Sequence, residues 1–186
     1  MEALLVSIGL VALAEIGDKT QLLSLVLAAR FRRPWPIIAG IFIATLFNHT
    51  IAGAIGAWLT HLLGEALMTR IVGASFIAMA AWVLVPDKLD EDADSVKSHG
   101  GVLATTIVLF FLAEMGDKTQ IATVALAARY PSLVQVVAGT TIGMLLANVP
   151  VVLFGDAIAR RVPLVYVRRV TAAAFLALGL LAFVTA

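Results

Sequence analysis

The sequence predicts an all-α membrane protein with six transmembrane helices, arranged as two inverted three-helix repeats (3+3). First, 61% of the 186 residues are hydrophobic and only 13% are charged, whereas soluble domains are about half apolar and about a quarter charged. Second, six apolar runs approach the roughly 20 residues that a helix needs to cross a bilayer. Third, the stretch ALAEIGDKTQ at 12–21 returns 99 residues later as FLAEMGDKTQ at 111–120.

Short polar segments separate the predicted spans. The spans cover residues 3–29, 36–60, 66–86, 101–128, 132–158 and 164–185. No basic region precedes the first apolar run, so we expect the first span to be kept rather than cleaved as a signal peptide. The one long hydrophilic stretch divides the chain into a first repeat at 1–86, an acidic linker at 87–100 and a second repeat at 101–186.

The repeat extends well beyond its most conspicuous stretch. LAAR at 27–30 recurs at 126–129, and Arg70 matches Arg169. Each copy holds three spans, an odd number, so the second copy must enter the membrane from the opposite side. Inverted repeats of this kind are typical of secondary transporters, whose sites lie near the midplane between the repeats.

The distribution of Lys and Arg predicts the orientation. The residues assigned to the cytoplasmic side are Arg30, Arg32, Arg33, Lys88, Lys97, Arg160, Arg161, Arg168 and Arg169. The opposite side holds only Arg70 and Arg129. This bias places the 87–100 loop in the cytoplasm and both termini outside.

Each copy of the repeated stretch places two acids and a lysine within an apolar span. They are Glu15, Asp18 and Lys19, then Glu114, Asp117 and Lys118. At about 2.5–3.5 kcal/mol for each charge at the bilayer centre, six uncompensated groups would cost roughly 15–20 kcal/mol. They must therefore face one another, water or an ion. On a continuous helix Glu15 and Asp18 would share one face, and Lys19 would pair with Glu15 at i+4. Gly17 permits close helix approach or local unwinding.

The polar groups of the motif form an all-oxygen donor set, and we predict a metal site there. Oxygen ligands suit Mg²⁺, Ca²⁺ and Mn²⁺, whereas zinc and copper prefer histidine and cysteine. The two motifs together carry a charge of minus two, which one divalent cation or two protons would neutralise. On a straight helix Thr20 would lie well round from Glu15 and could serve a partner helix instead. The predicted site residues are Glu15, Asp18, Glu114, Asp117, Thr20, Thr119, Gln21 and Gln120.

Other interpretations of the motif stay open. Glu–Lys pairs inside a membrane can simply join helices, although two symmetric copies favour a functional site. Four inward acids could hold an ammonium group in a small organic-solute exporter of the amino-acid type, or line a passive cation channel. An intramembrane aspartyl protease is disfavoured, because Glu15 and Glu114 stand where such enzymes carry glycine. We therefore predict that the chain is not an enzyme.

Three further polar residues lie inside the spans. Asn48, His49 and Asn148 favour hydrogen bonding between helices. A proton-relay role for His49 is the alternative, since imidazole titrates near neutral pH. The linker at 87–100 carries five acids and two lysines; it is either a solvated connection or a collector of cations at the cytoplasmic mouth.

The double motif resembles that of the small manganese/calcium–proton exchanger family, whose members carry two copies of Glu-x-Gly-Asp-Lys/Arg-Thr/Ser. Both EIGDKT and EMGDKT match without departure, and the resemblance covers the whole chain. It implies that the cation is bound by Glu15, Asp18, Glu114 and Asp117, with Thr20 and Thr119 assisting. It also implies export of Mn²⁺ or Ca²⁺ from the cytoplasm against protons. Eukaryotic members lie in the Golgi and bacterial members export manganese; the short chain resembles the bacterial branch, which implies the inner membrane.

The expected partners follow from these predictions. They are a divalent metal ion as transported substrate, protons as the coupled ion, and the lipid bilayer. We expect no permanently bound cofactor and no nucleic acid, and the sequence leaves a homo-oligomer open.

Overall fold

The chain folds almost entirely into α-helices. The structure is a computed structural model that describes residues 1–85, 100–155 and 163–184. Within these ranges it contains eight helices and no strand. The helices are α1 (Glu2–Glu15), α2 (Lys19–Phe31), α3 (Pro34–Leu63), α4 (Glu65–Trp82), α5 (Val102–Glu114), α6 (Lys118–Arg129), α7 (Leu133–Phe154) and α8 (Leu164–Val184). The linker predicted at 87–100 lies outside the described residues except for Gly100.

Four of the predicted spans correspond to single helices. α3, α4, α7 and α8 are each long and apolar enough to cross a membrane. Pro34 and Pro36 lie in the first turn of α3, where a missing backbone N–H costs nothing. Trp35, Trp58 and Trp82 are exposed near helix ends, as in the aromatic belts of membrane proteins. The all-helical membrane class is confirmed at this level.

The other two predicted spans are not continuous, and this part of the prediction was wrong. The first span is divided into α1 and α2 by residues 16–18, which we call the first break. The fourth span is divided into α5 and α6 by residues 115–117, the second break. At about 1.5 Å per residue, neither half of either span crosses a bilayer of about 30 Å alone, but two halves in series do.

Glycine causes both breaks. Gly17 has φ 81° and Gly116 has φ 74°, in a region that residues with a Cβ atom avoid. The side chain of Gln21 then replaces the lost helical partner, because its Oε1 accepts the Gly17 N–H at 2.9 Å. Gln120 does the same for Gly116 at 2.7 Å. The GDKTQ sequence thus supplies both the glycine that ends the helix and the glutamine that accepts the glycine N–H.

The two halves of the chain pack through matched contacts. α1 packs on α7 and α5 packs on α3, which are equivalent pairs at the 99-residue offset. A Cβ atom on Gly40 would lie 2.6 Å from Thr106 Cβ, and one on Gly139 would lie 2.7 Å from Ser7 Cβ. Small residues permit such close crossings in membranes. Each half therefore supplies the partner that the other half needs.

α4 and α8 join the two halves at a self-matched contact. The rings of Phe76 and Phe175, which occupy equivalent positions, lie with centroids 6.0 Å apart. Both side chains are buried. When a residue contacts the residue at the equivalent position of the other repeat, both lie near the two-fold axis that relates the repeats.

We expect alanine at either break to destabilise the fold. Gly116→Ala should cost about 1–2 kcal/mol of the free energy of unfolding, because the left-handed backbone then carries a Cβ atom. Gly17→Ala should cost at least as much, since its Cβ atom would also lie 2.6 Å from a Leu164 methyl carbon. The measurement is unfolding of the purified protein in mixed micelles.

Gly9→Ala is the matched control for these variants. Gly9 lies within α1, and nothing lies within 4 Å of its added Cβ atom. Replacement there should be neutral or stabilising by up to about 1 kcal/mol. Equal stability of the Gly9→Ala and Gly116→Ala proteins would contradict the role given to glycine at the breaks.

Candidate metal site

The two breaks bring the acids of both repeats together inside the protein. Glu15 and Glu114 are the last residues of α1 and α5, while Asp18 and Asp117 immediately precede α2 and α6. All four side chains are buried, and the two glutamates are fully so. The prediction that Glu15 and Asp18 share one face of a continuous helix was wrong, because the helix ends between them. The acids nevertheless converge, at helix ends rather than along a helix face.

Three of the acids form one compact group. Oxygen atoms of Glu15, Glu114 and Asp117 all lie within 4.8 Å of one another. Among the described residues this is the only cluster of three or more His, Cys, Asp or Glu side chains with such spacing. Three carboxylates that converge in a buried site are chemically suited to a hard divalent cation. The fourth acid, Asp18, is not part of this cluster.

The lysines form crossed ion pairs between the repeats. Lys19 Nζ lies 3.2 Å from Asp117 Oδ1, and Lys118 Nζ lies 2.8 Å from Asp18 Oδ1. The expected pair of Lys19 with Glu15 within one helix is therefore replaced by a pair across the molecule. The break is the physical reason, since it removes the i+4 geometry on which that expectation rested.

The two ion pairs differ in their surroundings. The Lys19 side chain is 28% exposed, whereas the Lys118 side chain is 3% exposed. Lys118 thus neutralises Asp18 in the interior, while Lys19 reaches the three-acid cluster from a more open position. The lysine that contacts the three-acid cluster is therefore the more accessible one, so the two ion pairs are not equivalent.

Two threonines orient the glutamates. Thr20 Oγ1 donates to Glu15 Oε2 at 2.5 Å, and Thr119 Oγ1 donates to Glu114 Oε2 at 2.8 Å. The expectation that Thr20 lies away from Glu15 was wrong, because the break folds the first turn of α2 back towards the end of α1. The Oε1 atoms of both glutamates have no hydrogen-bond partner among the described residues. The threonines hold one oxygen and leave the other available.

The two glutamines connect the breaks to the opposite repeat. Gln21 Nε2 donates to the Ala147 carbonyl oxygen at 3.0 Å, and Gln120 Nε2 donates to Asn48 Oδ1. Positions 147 and 48 are equivalent in the two repeats. Since the Oε1 atoms already accept the glycine N–H groups, both ends of each amide are engaged by the protein. Their role as metal ligands remains a prediction, and it would use the second lone pair of each Oε1.

Residues outside the motif complete the site. Ser24 Oγ donates to Asn148 Oδ1 at 2.7 Å, a contact that sequence reasoning missed although Ser24 lies one turn beyond Thr20. His49 Nε2 lies 4.0 Å from Glu114 Oε2, and the imidazole is fully buried. The interhelical hydrogen bonding predicted for Asn48 and Asn148 is confirmed by the contacts with Gln120 and Ser24. The same prediction for His49 was wrong, because neither ring nitrogen has a hydrogen-bond partner among the described residues.

The described residues line one small cavity beside the acids and one larger groove away from them. A small one of about 10 Å³ is lined by Asp18, Lys118 and Arg168, among others. Sequence reasoning used Arg168 only to predict orientation and missed its place beside the acids. A larger groove of about 500 Å³ lies between the ends of α3 and α6 and includes His61 and Glu65. Asp156 and Arg160, which could pair at i+4, lie outside the described residues.

Comparison with known proteins identifies relatives over nearly the whole chain. Residues 3–91 and 102–186 match the model of a family described as "Divalent cation/proton antiporter GDT1". A protein of Vibrio cholerae serotype O1 named "Putative manganese exporter" is 52% identical over 181 residues, covering 97% of this chain and 90% of the relative. A GDT1-like protein of Synechocystis is 30% identical over 172 residues, covering 82% of each chain. No solved structure matches at a significant level.

The crossed ion pairs predict unequal effects of removing the lysines. Lys118→Met should lower the free energy of unfolding by about 3–5 kcal/mol, because it leaves the buried Asp18 without its ammonium partner. Lys19→Met should cost about 1 kcal/mol, since Lys19 is partly solvated. Denaturant titration of both variants in mixed micelles measures the difference.

A double variant separates charge from packing. In the Lys118→Met background, Asp18→Asn removes the uncompensated carboxylate and should recover a large part of the lost stability. Equal losses for the two single variants, or no recovery in the double variant, would contradict the pairing described here.

Proposed function

The chain belongs to the GDT1 family of divalent cation/proton antiporters, and on that premise we propose that it exports Mn²⁺ from the cytoplasm in exchange for protons. It is a divalent cation transporter of the membrane and not an enzyme. The observation that carries the proposal is the buried convergence of Glu15, Glu114 and Asp117, whose oxygen atoms lie within 4.8 Å of one another. The name of the Vibrio cholerae relative supports manganese as the cation.

The charge of the site supports exchange. Four carboxylates and two lysine ammonium groups sum to minus two when all are ionised. One divalent cation neutralises this charge, and so do two protons, but both together would leave the site with an excess of positive charge. Occupancy by metal and by protons is therefore mutually exclusive in a buried site. Binding of protons from one side releases the metal to that side.

The cation takes the position that Lys19 now approaches. Lys19 is the more exposed lysine, and it contacts Asp117, a member of the three-acid cluster. When Mn²⁺ binds to Glu15, Glu114 and Asp117, it shares Asp117 with Lys19, whose charge is still needed for a neutral site. Asp18 keeps its charge balanced by Lys118. In this assignment three acids bind the cation directly, and the fourth holds the two repeats together.

The architecture that we propose is the 3+3 inverted repeat, with repeats at 1–86 and 101–186. Its support is the reciprocity of the contacts, since ion pairs, glutamine bridges and helix crossings all occur twice at matched positions. Reciprocal contacts are those of a two-fold axis. Alternating access then consists of rocking one repeat against the other around the site.

We propose that the 87–100 linker is cytoplasmic, that both termini lie outside, and that the protein resides in a bacterial inner membrane. The support is the excess of Lys and Arg on the linker side and the bacterial source of the relatives. In this orientation the small cavity beside Asp18 and Arg168 lies towards the cytoplasm. It marks the side from which the exported cation would enter.

Reconstitution into vesicles tests the proposal. With an acidic lumen and a neutral exterior, Mn²⁺ should enter the vesicles, because outward proton flow drives inward metal flow. Glu15→Gln and Glu114→Gln should each reduce the initial rate by at least about a hundredfold, the upper range for loss of a group that supports a metal site. An internal metal-sensitive dye measures the rate, with Ca²⁺ tested in parallel.

Glu65→Gln is the matched control, because Glu65 is an exposed acid at the start of α4. Its rate should equal that of the unaltered protein. Metal flux that is independent of the pH gradient would indicate a passive cation channel instead. Absence of Mn²⁺ and Ca²⁺ flux from folded protein, with flux of an organic cation, would indicate an organic-solute exporter.

A further inference from the structure

His49 lies against the acid cluster without a partner of its own. The side chain is fully buried within α3. Neither Nδ1 nor Nε2 has a hydrogen-bond partner among the described residues. Buried polar side chains are paired in nearly all proteins, so an unpaired buried imidazole beside a functional site calls for a physical explanation.

The position equivalent to His49 in the second repeat shows how a polar side chain that only joins helices is hydrogen-bonded. Asn148 stands there, and its amide is satisfied at both ends. Asn148 Oδ1 accepts from Ser24 Oγ at 2.7 Å, and Asn148 Nδ2 donates to the Met144 carbonyl oxygen at 3.0 Å. A polar residue that only joined helices at position 49 would form bonds of this kind. His49 forms none of them.

The distance from His49 to the cluster suits a shared ion. His49 Nε2 lies 4.0 Å from Glu114 Oε2, which is too long for a hydrogen bond. Two ligand atoms on one ion, each with a bond of roughly 2.1–2.4 Å, lie about 3 to 4.5 Å apart. The imidazole nitrogen and Glu114 Oε2 are therefore spaced as two ligands of the same cation, although the imidazole lies outside the mutual 4.8 Å spacing of the three acids. Glu114 Oε2 accepts one hydrogen bond from Thr119 and keeps a second lone pair for the ion.

We propose that His49 Nε2 is a further ligand of the transported cation, beside Glu15, Glu114 and Asp117, and that it sets the preference for Mn²⁺ over Ca²⁺. The inference rests on the proposed function and names its specificity-determining residue. A set of oxygen ligands accepts both ions, because both bind carboxylates. An imidazole nitrogen favours transition metals over Ca²⁺, which takes oxygen ligands.

This assignment gives the two repeats different tasks. The repeats supply nearly identical acids, but only the first supplies an imidazole at the position where the second has Asn148. The nitrogen ligand therefore comes from α3, next to Glu114 at the end of α5. The three-acid cluster contains both acids of the second repeat, Glu114 and Asp117, but only Glu15 of the first. The chemical asymmetry and the geometric asymmetry of the site coincide.

Electron paramagnetic resonance of bound Mn²⁺ tests the ligand directly. The purified full-length protein is loaded with Mn²⁺ in detergent, and electron spin-echo modulation reports nitrogen nuclei bonded to the metal. Protein grown with ¹⁵N-labelled histidine should replace the ¹⁴N modulation with a ¹⁵N signal. This measurement needs no substitution, so it does not depend on a variant that folds.

Two variants assign the signal and test selectivity. In His49→Asn, which copies the second repeat, the nitrogen modulation should vanish. The KM for Mn²⁺ uptake by vesicles should then rise by about tenfold, while the KM for Ca²⁺ should change by less than about twofold. His61→Asn is the matched control, since His61 lies on the same helix but lines the distant groove. It should retain the modulation and both KM values.

The outcomes separate this inference from the proposed function. Mn²⁺ transport by the unaltered protein without nitrogen modulation would overturn the role of His49 and leave the exchanger intact. Equal rises in both KM values for His49→Asn would overturn the selectivity role, because a structural defect affects both ions. Absence of Mn²⁺ binding and of transport by the folded, unaltered protein would overturn the proposed function itself, and this inference with it.

Discussion

The crossed ion pairs between the repeats are the interaction on which the rest of the structure depends. A charge in an apolar interior is tolerated only when another charge or an ion compensates it. Here Lys19 compensates Asp117 and Lys118 compensates Asp18. Because each pair joins one repeat to the other, compensating the charge of the two aspartates and assembling the two halves are the same event. Neither half could bury its own acids alone.

Most of the site's composition could be predicted from the sequence, but its geometry could not. The duplication, the four acids and the oxygen donor set can be identified in the sequence, and the burial of Glu15 and Glu114 follows from their apolar neighbours. The helix break is less visible, since Gly17 stands in an otherwise helical pattern and glycine is tolerated within membrane helices. The partners of Lys19 and Thr20 both depend on that break. A local pattern predicts what a residue is and seldom which distant residue it contacts.

The positions at which the two repeats differ bear on how the site works. Two identical repeats would form two equivalent conformations of equal energy, related by a two-fold axis in the membrane plane. His49 against Asn148 removes that equivalence, and so does Arg168, whose match in the first repeat is Thr69. The three-acid cluster contains both acids of the second repeat, the more accessible lysine contacts Asp117, and the imidazole lies next to Glu114. The repeated motif supplies a charged site, and in the inference drawn above one position that differs between the repeats, His49, sets the preference of that site for Mn²⁺.

Charge cost also explains why an exchanger of this design would not leak. In the proposed exchange, the site is neutral when loaded with Mn²⁺ or with two protons and has a charge of minus two when it has released both. At about 2.5–3.5 kcal/mol for each uncompensated charge, an occluded site without either ion lies roughly 5–7 kcal/mol above the loaded forms. Each 1.4 kcal/mol corresponds to about a tenfold factor, so return without an ion is disfavoured about ten-thousandfold. The two lysines are essential to this balance, because without them the site would need two metal ions or four protons.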